Sequence, residues 1–136
     1  MDAAPRLSPE IRRAMEGVLP AIVATCSADG EPNATVISQV YYVDDDHVAL
    51  SHQFFNKTYR NVRENPQLFC VVTCPDSMRF WSLRLRYDHS ETEGPVFDAM
   101  DMQIEAIASL TGMSGIFKLK AADIYEVVAV QQLGGS

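Results

Sequence analysis

Apolar and polar residues alternate along much of the chain in short runs, and such runs predict β-strands. Turn-forming pairs such as Asp29-Gly30 and Pro75-Asp76 separate them. The predicted strands cover residues 22–26, 35–43, 47–51, 68–74, 78–87, 116–120 and 124–130. Short turns between consecutive strands favour antiparallel pairing. The pattern therefore predicts six or seven antiparallel strands.

Three of these segments have patterns that predict their surroundings. Residues 68–74 are an almost continuous apolar run, which is typical of a strand buried on both faces. Residues 78–87 interleave arginine with leucine, so one face should lie in the core and the other in a wetter place. Residues 121–123 predict a tight corner between the last two strands. The strands at 68–74 and 78–87 offer more apolar surface than one small barrel needs, which favours a dimer.

Three helices are predicted beside the strands. Ser8 has the character of an N-cap, and Pro9 suits the first helical position. Asn56 can cap a short second helix, which Pro66 closes because the residue before a proline disfavours the α region. The third helix begins at Pro95 and has a broad apolar stripe. Helices of this kind pack outside a β-barrel or sandwich.

Length and composition fit one mainly β domain over residues 1–136. The chain has a mass of 15.1 kDa, and 47% of its residues are hydrophobic and 21% charged, as in globular proteins. A chain of this length can bury a sizeable core without disulfides. Residues 1–7 and 133–136 are expected to be flexible ends.

Charge and targeting patterns exclude several classes of function. Eighteen acidic residues against 11 Lys and Arg give a formal net charge of −7, and an acidic surface repels nucleic-acid phosphates and anionic lipid. Uncharged stretches are too short to span a bilayer. The first residues lack the charged and apolar parts of a signal peptide. We therefore expect a cytoplasmic protein that binds neither nucleic acid nor membranes.

The residues that commonly bind metals predict no metal site. Three cysteines match neither a disulfide framework nor a zinc knuckle, and we expect apolar packing and raised thiol pKa values for them: Cys26, Cys70 and Cys74. The histidines form no paired metal motif: His47, His52 and His89. The acidic run at residues 44–46 lacks the spacing of a calcium loop, so a solvated hairpin tip explains it better.

The segment after the third strand has the composition of a phosphate site. Ser51 and His52 end that strand, and Lys57 and Thr58 then open a helix. A helix N-terminus offers free backbone N–H groups and partial positive charge, to which a lysine adds a full charge. The segment alone is equally compatible with an ordinary solvated helix.

A motif in the same segment resembles the pyridoxamine 5′-phosphate oxidase-like family of FMN-binding split barrels. That family places K-x-x-N-[hydrophobic]-x-x-N-P between a hydroxyl-bearing strand end and a buried strand. The matching positions here are Asn61, Val62, Asn65 and Pro66, and Lys57 stands four residues before Asn61, one residue further away than the lysine of the pattern. The order of elements is also similar over residues 8–132. The last strand begins at Asp123-Ile124-Tyr125, which is similar to the family's usual ending of a proline or an acidic residue followed by Ile-Tyr.

The resemblance implies a split β-barrel homodimer with two FMN sites at the subunit interface. It implies that Lys57 and Thr58 hold the FMN phosphate, with help from Ser51 and His52. A second set would line the edge of the isoalloxazine ring: Val36, Ile37 and Ser38. Strand residues would reach the flavin from the other subunit: Trp81, Ser82 and Arg84. For Trp81, an ordinary role as a core or interface aromatic is slightly favoured over contact with the flavin. No catalytic residue is assigned.

Two departures from the family imply a function distinct from vitamin B6 oxidation. The chain stops after its last strand, without the Arg- and His-bearing segment that grips the substrate in pyridoxamine phosphate oxidases, and Arg86-Tyr87-Asp88 replaces a common glycine-x-alanine. The favoured function is an FMN-dependent oxidoreductase acting on an unidentified small substrate. The alternatives are a non-catalytic sensor or carrier that holds flavin or haem, and an F420-dependent reductase.

Overall fold

A computed structural model of the chain describes residues 6–37, 40–52, 57–110, 112 and 119–134. The helices are α1 (Pro9–Met15), α2 (Lys57–Glu64) and α3 (Pro95–Leu110). The strands are β1 (Ala21–Cys26), β2 (Pro32–Ile37), β3 (Tyr41–Asp44), β4 (His47–His52), β5 (Gln67–Thr73), β6 (Phe80–Glu91) and β7 (Ala121–Leu133). No helix in these ranges is long and apolar enough to cross a membrane.

All seven strands pair antiparallel in one sheet, in the order β2-β1-β5-β6-β7-β4-β3. This confirms the predicted mainly β, antiparallel fold. The central strands β6 and β7 have 12 and 13 residues, and their register shifts between Arg84 and Leu85 and again between Tyr87 and His89. Bulges bend a strand and increase its twist, so the central pair can curve around a core.

The inner face of this sheet encloses the larger of two cores. Side chains alternate across a strand, so Leu83 and Leu85 of β6 are fully buried while Arg84 and Arg86 are exposed. This confirms the alternation predicted for residues 78–87. The first helix and Leu7, two residues before it, add apolar side chains to the same core. The helix contributes Ile11, Ala14 and Met15.

The outer face of the sheet is covered by a helix on one half. There, Met100 of α3 packs with Ala49 of β4 and Ile124 of β7. On the other half, formed by the outer sides of β2, β1, β5 and β6, described apolar side chains are exposed: Ile22 by 49%, Val36 by 65% and Phe69 by 40%. We call this half the open face. Contiguous apolar surface of this kind usually marks an interaction site.

The open face explains one wrong prediction. The sequence predicts that residues 68–74 are buried on both faces, but in β5 the core contains only alternate side chains, from Leu68, Cys70 and Val72. Phe69, between them, is 40% exposed. Hydrophobicity along a strand shows that both faces avoid water, but it does not show what covers the outer one.

Two predicted boundaries are also wrong. Residues 35–43 do not form one strand, because β2 ends at Ile37 and β3 begins at Tyr41. Residues 121–123 are not a corner but the start of β7. The acidic Asp123 suggested a turn, yet its side chain is buried and accepts a hydrogen bond from the Ser90 hydroxyl at 2.7 Å.

Part of another predicted strand cannot be compared. Of the predicted strand 116–120, residues 116–118 lie outside the described residues, and Leu119 and Lys120 precede β7 without joining it.

Other local predictions are confirmed or extended. The Ser8 hydroxyl accepts a hydrogen bond from the Ile11 N–H at 3.3 Å, as an N-cap should. The acidic run forms the turn between β3 and β4, where the Asp44 carboxylate accepts the Asp46 N–H at 2.8 Å. Leu7 is fully buried and Leu133 ends β7, so the packed domain extends into both of the predicted flexible ends.

Candidate functional site

The second helix is fixed on the sheet by a buried hydrogen bond. Asn61 donates from Nδ2 to the Thr25 hydroxyl of β1 at 3.1 Å, and both residues are almost completely buried. The next residue, Val62, lies in the main core. These two positions belong to the K-x-x-N-[hydrophobic] motif. Their role in the structure is to hold α2 against β1 and β2.

The remaining motif residues organise the end of the same helix. The Asn65 N–H donates to the Asn61 carbonyl at 2.6 Å. The Pro66 carbonyl accepts the Tyr87 N–H of β6 at 2.7 Å, which ties the helix exit to the central strand. The Glu64 carboxylate accepts the Ala28 N–H at 3.4 Å. The C-terminal half of α2 therefore stabilises the fold, and Lys57 is the basic residue at the N-terminus of the helix.

The start of α2 has the electrostatics that an anion requires. The helix opens with Lys57 and Thr58, and its first turn contains no acidic residue. The first N–H groups of a helix have no intrahelical acceptor, and the helix dipole makes this end positive. A phosphate group therefore fits the chemistry of this donor set.

The structure describes only part of the predicted phosphate set. Ser51 and His52 are the last two residues of β4, and Lys57 and Thr58 are the first two of α2. Only the backbone of His52, Lys57 and Thr58 is described, whereas Ser51 is exposed. The end of β4 and the start of α2 flank residues 53–56, which lie outside the described residues. Ser38, predicted to line the flavin ring, also lies outside them.

The predicted ring contacts lie on different parts of the sheet. Val36 pairs with Ile22, Ile22 with Val71, and Val71 with Ser82, so these four side chains form one row across the open face. Strands lie about 4.8 Å apart, so Val36 and Ser82 are roughly 14 Å apart within one chain. Ile37 packs against the inner core instead.

Trp81 faces the opposite side of β6 from Ser82 and Arg84. It pairs with the buried Val72 and packs against the main core. Its indole Nε1 is buried and has no hydrogen-bond partner among the described residues. Trp81 also lines a cavity of about 380 Å³ beside the start of α1, together with Arg6. Ser82 and Arg84 therefore share the outer side of β6, where Ser82 is almost completely buried and Arg84 is exposed, and Trp81 lies on the opposite side.

The cysteine prediction is confirmed at one position and wrong at another. Burial raises the pKa of the Cys70 thiol to about 12. Desolvation also raises the pKa of Cys74, but hydrogen bonds with the Ser77 side chain and with the backbone of Ser77 and Asp76 outweigh it and lower that pKa. The turn after β5 supplies these bonds, which an apolar run in the sequence does not reveal.

In the described ranges, no group of three or more His, Cys, Asp or Glu residues is placed to hold a metal ion.

Sequence reasoning missed two features of this region. It singled out Asn61 but not its buried partner Thr25, because a pairing across 36 positions leaves no local signal. It also missed a cavity on the open face, where Arg84 meets side chains of β1 and β5.

Solved structures with the same fold include an FMN-binding protein, an F420 reductase and a haem storage protein. An FMN-binding protein from Syntrophomonas wolfei superposes with a TM-score of 0.75 at 20% identity, covering 93% of this chain and 86% of that one. An F420 reductase superposes with a TM-score of 0.62 at 17% identity, and the match covers 87% of this chain and 93% of that one. The haem storage protein HutZ of Vibrio cholerae superposes with a TM-score of 0.56 at 18% identity, and the match covers 96% of this chain and 92% of that one. The molecule is thus a split β-barrel.

Sequence comparison identifies the family within this fold class. The model of the pyridoxamine 5′-phosphate oxidase family matches residues 7–127. The chain belongs to that family. It is also 30% identical over 78 residues to the uncharacterized protein MJ0282 of Methanocaldococcus jannaschii, a match that covers 55% of this chain and 52% of that protein. The aligned segment therefore spans about half the length of this curated relative.

The hydrogen bond between Asn61 and Thr25 can be tested with a double-mutant cycle. Asn61→Ala leaves the Thr25 hydroxyl buried without its partner, so the free energy of unfolding should fall by about 1–3 kcal/mol. In a Thr25→Val background the same change should cost clearly less, because the hydroxyl is already gone. Urea denaturation of the four proteins measures this coupling. If the losses of unfolding free energy in the two single variants add to that of the double variant within about 0.5 kcal/mol, the two residues are not coupled and the hydrogen bond is contradicted.

Proposed function

We propose that the protein binds FMN and is an oxidoreductase for a small substrate, related to but distinct from pyridoxamine 5′-phosphate oxidase. The observation that carries the proposal is the start of α2. Its motif positions Asn61, Val62, Asn65 and Pro66 secure the helix, while Lys57 stands at the end where the N–H groups have no intrahelical acceptor. Membership of the family supports a flavin as the anion bound there.

In this proposal the chain's own residues bind and orient the cofactor. Lys57 and Thr58 hold the phosphate with the first N–H groups of α2, and Ser51 and His52 complete that site from the end of β4. Val36, Ile37 and Ser38 line the edge of the ring. FMN supplies the electron-transfer chemistry when bound. The buried Asn61–Thr25 pair keeps the helix start in a fixed position relative to β1.

We also propose that the working form is a homodimer packed through the open face. Val36 and Ser82 lie on one row of this face but are roughly 14 Å apart in one chain. A second copy packed face to face can bring its strand β6, which contains Ser82, to the flavin beside Val36. The exposed Ile22, Val36 and Phe69 supply the apolar surface that such an interface buries.

A second candidate is a non-catalytic carrier with the same barrel. The likeness to a haem storage protein favours it, and the likeness to an F420 reductase leaves the deazaflavin as another cofactor. Each cofactor has a different absorption spectrum, and a carrier differs from an enzyme by the absence of rapid turnover.

The absorption spectrum tests the proposed cofactor and activity together. Titration with FMN should give a saturable change in the flavin bands, and the bound flavin should then bleach on addition of NADH or NADPH. Saturable binding without bleaching by these or stronger donors supports the carrier. Binding of haem or F420 with no response to FMN would reject the flavin.

Replacement of Lys57 by alanine tests the phosphate site. Lys57→Ala removes a charge-assisted contact, so the dissociation constant for FMN should rise by about 10- to 100-fold, or about 1.5–3 kcal/mol. Arg79→Ala is the matched control, because it removes the same charge from the exposed turn before β6. Fluorescence titration of FMN measures both. Equal affinity of the two variants would refute the placement of the phosphate.

Light scattering tests the dimer. The protein should have twice the 15.1 kDa mass of one chain. Ile22→Lys places a charge in the open face and should shift the protein towards monomer, whereas Met102→Lys on the exposed side of α3 should not. A monomeric wild-type protein that still binds FMN tightly would show that the flavin site needs no second copy.

A further inference from the structure

A cavity on the open face is lined by an arginine, Arg84, that has no hydrogen-bond or ion-pair partner among the described residues. It has a volume of about 270 Å³, and its walls come from β1, β5, β6 and the turn before β5: Ala24, Thr25, Cys26, Asn65, Gln67, Leu68, Phe69 and Arg84. The register places Phe69 directly between Ala24 and Arg84 across the sheet. Arg84 and the exposed Phe69 are therefore cross-strand neighbours, and both line the cavity.

Arg84 differs from the other arginines whose side chains are described. Arg86, two residues along the same strand, pairs with Glu126. Arg13 pairs with Asp76 and Glu16. The remaining ones also have partners: Arg6, Arg12, Arg63 and Arg79. Arg84 alone forms no hydrogen bond or ion pair with the described residues.

This isolation is unusual in so acidic a chain. With 18 acidic residues against 11 basic ones, most described arginines have a carboxylate of the same chain close by. Around Arg84 the cross-strand neighbours are Phe69 and Ala129, and neither is charged. A guanidinium offers five N–H donors in a fork that fits a carboxylate.

We propose that this cavity binds a small organic anion, a carboxylate attached to an apolar ring. Arg84 would hold the carboxylate through its fork of donors, and Phe69 and Ala24 would contact the ring. Gln67 also lines the cavity, and its amide would bind a further polar group. A volume of about 270 Å³ is slightly below the usual range of roughly 300–1,000 Å³ for ligand sites, which suits a one-ring molecule.

The cavity is formed by one chain, so the proposal does not require a bound flavin. It gives Arg84 a ligand other than the flavin ring that the sequence predicts for it. Packing of a second copy against the open face would close the cavity and shield its ligand from water, which strengthens a charge-assisted contact.

The test is a titration of the ¹⁵N-labelled protein with sodium benzoate at constant ionic strength, followed by NMR. The Arg84 Nε–H signal and the backbone amides around Phe69 should shift saturably. Benzamide, which is neutral but has the same shape, should bind much more weakly. Because the signals belong to the protein itself, the outcome is independent of FMN binding.

Variants on one strand provide the matched comparison. Arg84→Gln should weaken benzoate binding by about tenfold or more, whereas Arg86→Gln should change it less than twofold. Arg84→Lys keeps the charge but loses the fork, so intermediate binding is expected. The proposal is overturned if wild type shows no saturable shift, if benzamide binds equally well, or if Arg84→Gln binds benzoate as wild type does.

Discussion

The antiparallel ladder between β6 and β7 is the constraint on which the other elements depend. Every other strand joins the sheet through one of these two, β5, β1 and β2 on the side of β6 and β4 and β3 on the side of β7. The two bulges in this ladder bend it, and the bend allows the sheet to enclose the core that contains Leu83 and Leu85. The ends of β4 and α2 acquire their positions from this arrangement.

The family motif divides into a part that holds the helix and a part that is available to a ligand. Asn61 and Val62 fix α2 against β1, and Pro66 links its exit to β6. A rigid helix presents its N–H groups in a constant direction, which an anion site requires because misplaced dipoles contribute little. In the proposed anion site, the buried Asn61 amide therefore acts by holding the helix and not by contacting the ligand.

Much of the fold was predictable because local patterns report local structure. Ser8 and Pro9 signal the start of α1, and the alternation of arginine and leucine identifies the faces of β6. What could not be predicted depends on contacts between distant residues. Asp123 looks like a turn residue until Ser90 provides its hydrogen bond from another strand. In the same way, the sequence identifies Lys57 as a candidate phosphate-binding residue but gives no sign that Arg84 forms no hydrogen bond or ion pair with the part of the chain that the structure describes.

The position of β7 in the sequence has a consequence for how the chain is made. This strand lies at the centre of the sheet, yet all the other described strands precede it, and Ala122 pairs with Ser51 from far upstream. A ribosome therefore releases β1 to β6 before the strand that joins the two halves is available. Until then the nascent barrel has an open seam and exposed core residues, a state that favours slow closure and assistance by chaperones.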